Sequence, residues 1–379
     1  MSILFEPIKI GNIKIKNRFV RSATYYALSD KDGFIGQASV DLMRQLAENE
    51  VGLIITGFAY VLKNGQCVPD MNGIQTDDHI PGYKKMTKAV HNADGRIVMQ
   101  IVHGGANAYS VSIWGGDYMA VSVTENMPRY GIPPREMTEE DIESIIEAFG
   151  QAGRRVQDAG FDGVQIHGAH GYLVSQFLSP LTNKRHDRWG GSLENRMRFV
   201  IEIIRAIKKQ VDKDFPVMVK LGCRDFTTDN SGLTIQEGAE VAGALEKEGI
   251  CLIEISNGFP FDQTLPLGVT SPEKEAYYLP EARVIREATS GSLCLVGGMR
   301  SLPVMEEVIK SGVADCISLS RPLIREPGLI KRWKQGDTRP AECVSCGGCF
   351  NRDGKGGHDI YCRQLKKMQE KQRAKQVLQ

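Results

Sequence analysis

Val217-Met-Val-Lys-Leu221 is an almost wholly apolar run, with an amphipathic stretch at 193–211 before it and another at 235–247 after it. A strand without a polar face belongs in a parallel sheet covered by helices on both sides. The flanking helical stretches supply the crossovers that parallel strands need. Working outward from this unit, short apolar runs of the same kind recur at 18–23, 51–56, 97–102, 163–167, 252–256, 293–297 and 316–319, giving eight expected strands. Between two of them, 138–159 carries 3.6-residue apolar spacing and opens on Thr138-Glu-Glu-Asp141, a helix-capping sequence. Eight strand–helix units point to an α/β fold, a closed (β/α)8 TIM barrel. An open doubly wound sheet would place G-x-G-x-x-G after its first strand, where Arg21-Ser-Ala-Thr24 stands instead. Ile8-Lys-Ile-Gly-Asn-Ile-Lys-Ile15 alternates around a Gly11-Asn12 turn and is expected to form an N-terminal hairpin cap under the barrel. The barrel is expected over 1–335, and a short cysteine-rich C-terminal extension with a basic tail over 336–379. Two long loops, 106–134 with Trp114, Tyr118 and Tyr130, and 258–278, are expected to shape a pocket.

With 379 residues, 41% hydrophobic and 25% charged, the chain has the composition of an ordinary globular protein rather than a disordered one. Its 47 basic and 46 acidic side chains leave a net charge of +1, so no field draws it to nucleic acid or an anionic membrane. A small-molecule partner is the expectation, with homo-oligomerisation left open. The N-terminus lacks a signal-peptide pattern and no apolar stretch reaches ~18 residues, which implies a cytoplasmic protein. Of nine cysteines, Cys343, Cys346, Cys349 and Cys362 cluster; in a reducing compartment such a cluster suggests metal more than disulfide.

Barrel enzymes carry their chemistry at the C-terminal ends of the strands. There this sequence places Thr24, Gln100, His103, His167, Lys220, Val296-Gly-Gly-Met-Arg300 and Ser320-Arg321. Gly297 and Gly298 allow backbone N–H groups to approach a phosphate, and Arg321 can grip one bidentately. The plain alternative is a chain turn with Arg321 paired to a carboxylate. His167 and His170, in Gln-Ile-His-Gly-Ala-His-Gly-Tyr, can polarise a carbonyl while the Tyr172 phenol delivers a proton. Metal ligation together with His103 is the rival reading. Lys220 interrupts an apolar strand and needs an anionic partner, either a reduced cofactor or an acidic neighbour.

These residues resemble the Old Yellow Enzyme family of FMN-dependent NAD(P)H:flavin oxidoreductases and ene-reductases. The resemblance covers about 4–325. Its most specific stretch is His167-Gly-Ala-His-Gly-Tyr-Leu-Val-Ser-Gln-Phe-Leu-Ser-Pro-Leu-Thr-Asn-Lys-Arg-His-Asp-Arg-Trp-Gly-Gly-Ser-Leu-Glu-Asn-Arg196, supported by Leu4-Phe-Glu-Pro7, Asn17-Arg18, Val51-Gly-Leu-Ile-Ile-Thr56, Gln100-Ile-Val-His-Gly-Gly105 and Val296-Gly-Gly298. The resemblance implies FMN bound by Ala23, Thr24, Phe58, Gln100, Lys220, Gly297, Gly298, Ser320 and Arg321. It makes His167 and His170 the substrate and catalytic donors and Tyr172 the proton donor, with Tyr26 lining the pocket. Lys220 stands where the family usually has arginine, and Ser320 where it has glycine. Cys343-x2-Cys346-x2-Cys349-x12-Cys362 looks like the [4Fe-4S] ligand set of the 2,4-dienoyl-CoA reductase-like branch, with one residue fewer between the second and third cysteines and without that branch's second domain. An iron–sulfur cluster, zinc and no metal all stay open.

The expected function is an oxidoreductase that takes hydride from NADH or NADPH and reduces the C=C bond of an α,β-unsaturated carbonyl compound. The alternatives are a flavin/iron-sulfur dehydrogenase or electron-transfer subunit working with a partner and, more remotely, a non-redox aldolase or isomerase using Lys220.

Overall fold

The computed structural model describes residues 2–125, 131–227, 229, 231–259, 266–349 and 360–377. Eight parallel strands are present: β1 (Phe19–Arg21), β2 (Leu53–Ile55), β3 (Ile97–Val102), β4 (Gly163–Gly168), β5 (Val217–Gly222), β6 (Leu252–Ser256), β7 (Ser292–Leu295) and β8 (Cys316–Leu319). Each pairs with its successor, and β8 pairs with β1 through Ile317–Phe19, Ser318–Val20 and Leu319–Arg21. These eight therefore close into a barrel, and two short strands, Ala59–Tyr60 and Asn72–Gly73, extend the sheet from Ile101–Val102. β3, β6 and β8 match their expected limits. β7 stops at Leu295 rather than Gly297 because Gly297 and Gly298 turn away with φ of 137° and 69°.

Helices α1 (Gln37–Glu48), α2 (Ile80–Asn92), α3 (Glu139–Asp158), α4 (Leu193–Gln210), α5 (Ile235–Lys247), α6 (Leu279–Ala288) and α7 (Leu302–Lys310) connect the strands in order. The cap expected at Thr138 is formed in both directions: the Asp141 N–H donates to Thr138 Oγ1 at 3.2 Å, and the Thr138 N–H to the Asp141 carboxylate at 2.7 Å. The helices bury their apolar faces against the outside of the barrel, where the main core lies.

Inside the barrel the residues follow the two-residue period of a strand. Val20, Leu53, Val98, Met218, Leu252, Cys294 and Cys316 form a lower apolar layer. The hairpin Ile8–Ile10/Ile13–Ile15 plugs that layer with Ile10, Ile13 and Ile15, as expected from its sequence. Two residues further along most of these strands the layer turns polar, with Ser22, Gln100, Lys220, Glu254 and Ser318, all buried. The barrel thus has a greasy floor and a polar upper ring.

The loop after β3 differs from its expected role: none of its described residues lines the barrel mouth. It folds back on itself. The Tyr118 hydroxyl donates to the Ala106 carbonyl at 2.6 Å, Met119–Ala120 pairs with Arg135–Glu136, and Arg135 is tied to Asp117 and Asp141. Tyr130 lies outside the described residues. The segment past Lys334 is held to the barrel by Arg300, whose side chain donates to the carbonyls of Ala341 and Cys343, each at 2.9 Å. Among the described residues no helix is long and apolar enough to cross a membrane.

Candidate active site

A cavity of about 340 Å³ opens at the C-terminal ends of the strands. Nearly every residue collected from the strand ends meets there: Ala23 and Thr24 after β1, Phe58 after β2, Gln100 on β3, His167, His170 and Tyr172 at β4, Lys220 on β5, and Gly298, Ser320 and Arg321 beyond β7 and β8. The loop after β6 adds Asn257, Tyr277 and Tyr278, as expected of that loop in general terms; its residues 260–265 lie outside the described residues.

The polar ring under the cavity is one connected network. Glu254, 0% exposed, receives Ser22 Oγ at 2.6 Å, Ser318 Oγ at 2.7 Å and Lys220 Nζ at 2.8 Å on one carboxylate oxygen. Its other oxygen receives Gln165 Nε2 at 3.0 Å, and Gln165 in turn accepts from Gln100 Nε2 at 2.7 Å. Burial pushes the Glu254 carboxyl up, but Lys220 and the two hydroxyls outweigh it and hold it below the usual carboxylate range. The anionic partner of Lys220 is therefore an acidic neighbour on the adjacent strand, in direct register with it. The sequence reading missed Glu254. Its signal was the same as that of Lys220, a single charge inside Leu252-Ile-Glu-Ile-Ser256. Lys220 Nζ is thus held by both Glu254 and Ser22.

On the β4 side, His170 and Gly171 take φ of 60° and 72°. Consecutive left-handed residues bend the chain so that His167, His170 and Tyr172 converge. The two imidazole centroids lie 5.0 Å apart with rings perpendicular, and the Tyr172 ring stands edge-on to His167 at 4.9 Å. The Ala169 N–H donates to His167 Nδ1 at 3.3 Å. With Nδ1 an acceptor, the neutral ring carries its proton on Nε2, an assignment made from the partner. Burial, with Lys220 adding to it, takes His167 down to about 3 and holds His170 well below its ordinary value. Both rings are neutral hydrogen-bonding groups near pH 7. His103 stays apart from them, its ring engaged by Gly105 N–H at 3.1 Å and Asn64 at 3.2 Å. Among the described residues no three His, Cys, Asp or Glu side chains gather as a metal site. The histidine–metal reading therefore has no third ligand beside His167 and His170 among the described residues.

At the opposite side, Gly298 and Arg321 line the cavity. A Cβ on Gly298 would stand 3.0 Å from the Tyr277 ring and 3.2 Å from Val269, so the close turn needs glycine. Arg321 hydrogen-bonds the Tyr277 phenol, and Ser320 Oγ lies 3.0 Å from Thr24 Oγ1. Gly297, in the same turn, is not among the residues that line the cavity.

One expectation is corrected here. Tyr26 does not line this cavity: its hydroxyl is hydrogen-bonded by the buried Arg21, which draws it outward, and Tyr25 takes its place, its own hydroxyl anchored on the Pro69 carbonyl. For the four clustered cysteines, where an iron–sulfur cluster, zinc and no metal all stand open, no group of three metal-binding side chains is gathered among the described residues. Arg300 pins the Cys343 backbone, Cys362 Sγ sits 3.6 Å from Arg325, and Cys349, its thiol pushed by burial up to about 11, lines the cavity with Ser345.

A family model described as "NADH:flavin oxidoreductase / NADH oxidase family" matches residues 3–339. The chain is 34% identical over 350 residues to the NADH oxidase of Thermoanaerobacter brockii, covering 92% of this chain and 53% of that one. It is 34% identical over 327 residues to the NADPH dehydrogenase of Geobacillus sp. (strain WCH70), covering 86% and 92%. A solved 2-naphthoyl-CoA reductase in complex with 2-naphthoyl-CoA superposes with a TM-score of 0.83 at 30% identity, covering 92% of this chain and 54% of that one. The chain thus spans about half the length of several relatives it matches.

Proposed function

This chain belongs to the NADH:flavin oxidoreductase / NADH oxidase family, and from that premise we propose that it is a cytoplasmic FMN-dependent NAD(P)H oxidoreductase that reduces the C=C bond of α,β-unsaturated carbonyl compounds. The residues at the barrel mouth fit FMN. Gln100, Lys220 and Thr24 offer donors and acceptors for the edge of a flat heteroaromatic ring, and the Gly298 turn with Arg321 suits a phosphate. When bound, FMN supplies hydride transfer, from the nicotinamide and then to the alkene.

The chain's own residues do the rest. His167 and His170, neutral and side by side, hydrogen-bond the substrate carbonyl oxygen and stabilise the negative charge that grows on it. Low dielectric in this buried corner strengthens that contact. Tyr172, edge-on to His167, holds the proton that goes to the α-carbon. Phe58 and Tyr25, stacked at 5.9 Å, form an apolar wall that limits water. The observation that carries the reading is this convergence of two neutral imidazoles and a phenol on one wall of a cavity whose floor is polar and whose far side ends in Arg321.

Isotope placement tests it. With 2-cyclohexenone and nicotinamide deuterated at C4, NMR of the product should show the cofactor's deuterium on the β-carbon, and turnover in D2O should place solvent deuterium on the α-carbon. Absence of saturated ketone, or solvent label on both carbons, would sink the reading.

A further inference from the structure

Glu254 is the charged residue of the barrel interior that the reaction leaves without a task. It does not line the cavity; Lys220 stands between, and the cavity wall includes Lys220 alone of the pair. Four donors converge on its carboxylate from four strands: Ser22 at β1, Gln165 on β4, Lys220 on β5 and Ser318 on β8. So complete a shell is what lets a buried ion pair persist, and it fixes the carboxylate as an anion directly against the ammonium. Ser22 Oγ also receives Lys220 Nζ at 3.0 Å, so the lysine head is held at two points.

We propose that Glu254 is a positioning residue that acts through Lys220, fixing the ammonium at the cavity and keeping it charged in both redox states, so that two-electron reduction of the bound cofactor takes up one proton and not two. The inference rests on the flavin reading of this cavity. In the intact protein, two electrons and one proton would enter a bound flavin and leave it one negative charge, which the Lys220 ammonium would face. Without Glu254 the ammonium is a buried cation with no counter-ion. While the cofactor is oxidised, the lysine then sheds its proton as the pH rises; on reduction it takes that proton back, so two electrons arrive with two protons.

The other groups facing the pair do not supply this proton. His167 and His170 are held neutral by burial, and the Cys294 thiol on β7 is pushed well up by burial. The Cys316 thiol on β8 is pushed up to about 12. Burial lowers Arg21 on β1 from its ordinary value, but a guanidinium starts so high that it stays charged, and Gln100, Gln165, Ser22 and Ser318 do not titrate.

The test is a spectroelectrochemical titration of the FMN-loaded protein between pH 7 and 9, wild type against Glu254→Gln, which keeps the volume and removes the charge. The wild-type midpoint potential should change with the slope of one proton per two electrons. Glu254→Gln should double that slope, and an unchanged slope overturns the inference. If Glu254→Gln does not retain FMN, the double variant Lys220→Met/Glu254→Gln decides. FMN retained by the double variant, measured by quenching of free FMN fluorescence, shows that the unpaired cation was at fault; FMN lost from the double variant but kept by Lys220→Met alone shows that Glu254 acts independently of Lys220 and overturns the proposal. A wild-type protein that binds no FMN refutes the flavin reading itself, a different result from a wild type that binds FMN and a variant with an unchanged slope.

Discussion

Replacing His167 with asparagine should destabilise the protein less and less as the pH falls. In the folded chain the imidazole stays neutral down to about 3, whereas in the unfolded chain it titrates near ~6.5. Between those values the unfolded state binds the additional proton, so acidification favours unfolding through this residue. The stability it supplies is complete above pH ~6.5 and is lost as the pH falls toward 3. From pH 8 to pH 5 the loss is about 2 kcal/mol, from the ratio of the two binding polynomials at 1.36 kcal/mol per tenfold. Asparagine does not titrate, so His167→Asn escapes that loss. Urea unfolding of apoprotein at pH 8, 7, 6 and 5 should show the gap between wild type and variant closing by about 2 kcal/mol over that range. A gap that stays constant within about 0.5 kcal/mol would mean that His167 protonates normally in the fold. It would then present a cation to the substrate, and the neutral-donor account would be wrong.

Tyr172→Phe should leave reduction by NAD(P)H unchanged and slow reoxidation by an enone about 10²–10⁴-fold, the range for losing a general acid; stopped-flow of the separate half-reactions checks it. Arg321→Met should weaken FMN about 10²-fold, since two hydrogen bonds from a charged group are worth roughly 3 kcal/mol. Riboflavin affinity should stay as it was, and fluorescence titration of both ligands compares them. Gly298→Ala should also weaken FMN, because a side chain at φ 69° costs about 1–2 kcal/mol and its Cβ meets Tyr277 at 3.0 Å; isothermal calorimetry reads the loss. Tyr26→Phe should leave the enone KM within a factor of about two, because Tyr26 stands outside the cavity and its hydroxyl is turned to Arg21.

The barrel was legible because eight apolar runs keep one period and a parallel sheet demands apolar strands. Most of the site was legible because polar residues at strand ends have few other reasons to be there, as Gln100, His167, His170 and Arg321 illustrate. What stayed hidden depends on direction rather than composition. Tyr25 and Tyr26 are adjacent and chemically alike, and only the Arg21 hydrogen bond, which lies across the barrel seam beside Leu319 and Ser320, decides which of them faces the cavity. Glu254 was readable by the same argument as Lys220, yet pairing the two required the β5–β6 register. The 106–134 loop is long and aromatic, which suggested a pocket wall, but its internal hydrogen bonds to Ala106 and Asp141 turn it aside. Spacing of the cysteines carried no information on how Arg300 and Arg325 would hold their backbone and thiols.

The central claim is that the barrel mouth holds FMN that shuttles hydride from NAD(P)H to an activated alkene. It is tested most directly by following the visible absorbance of FMN-reconstituted protein under anaerobic conditions. The account predicts that the flavin absorbance bleaches on adding one equivalent of NADH or NADPH and returns on adding an enone. Protein that takes up no FMN, or bound FMN that neither nicotinamide reduces, would contradict it.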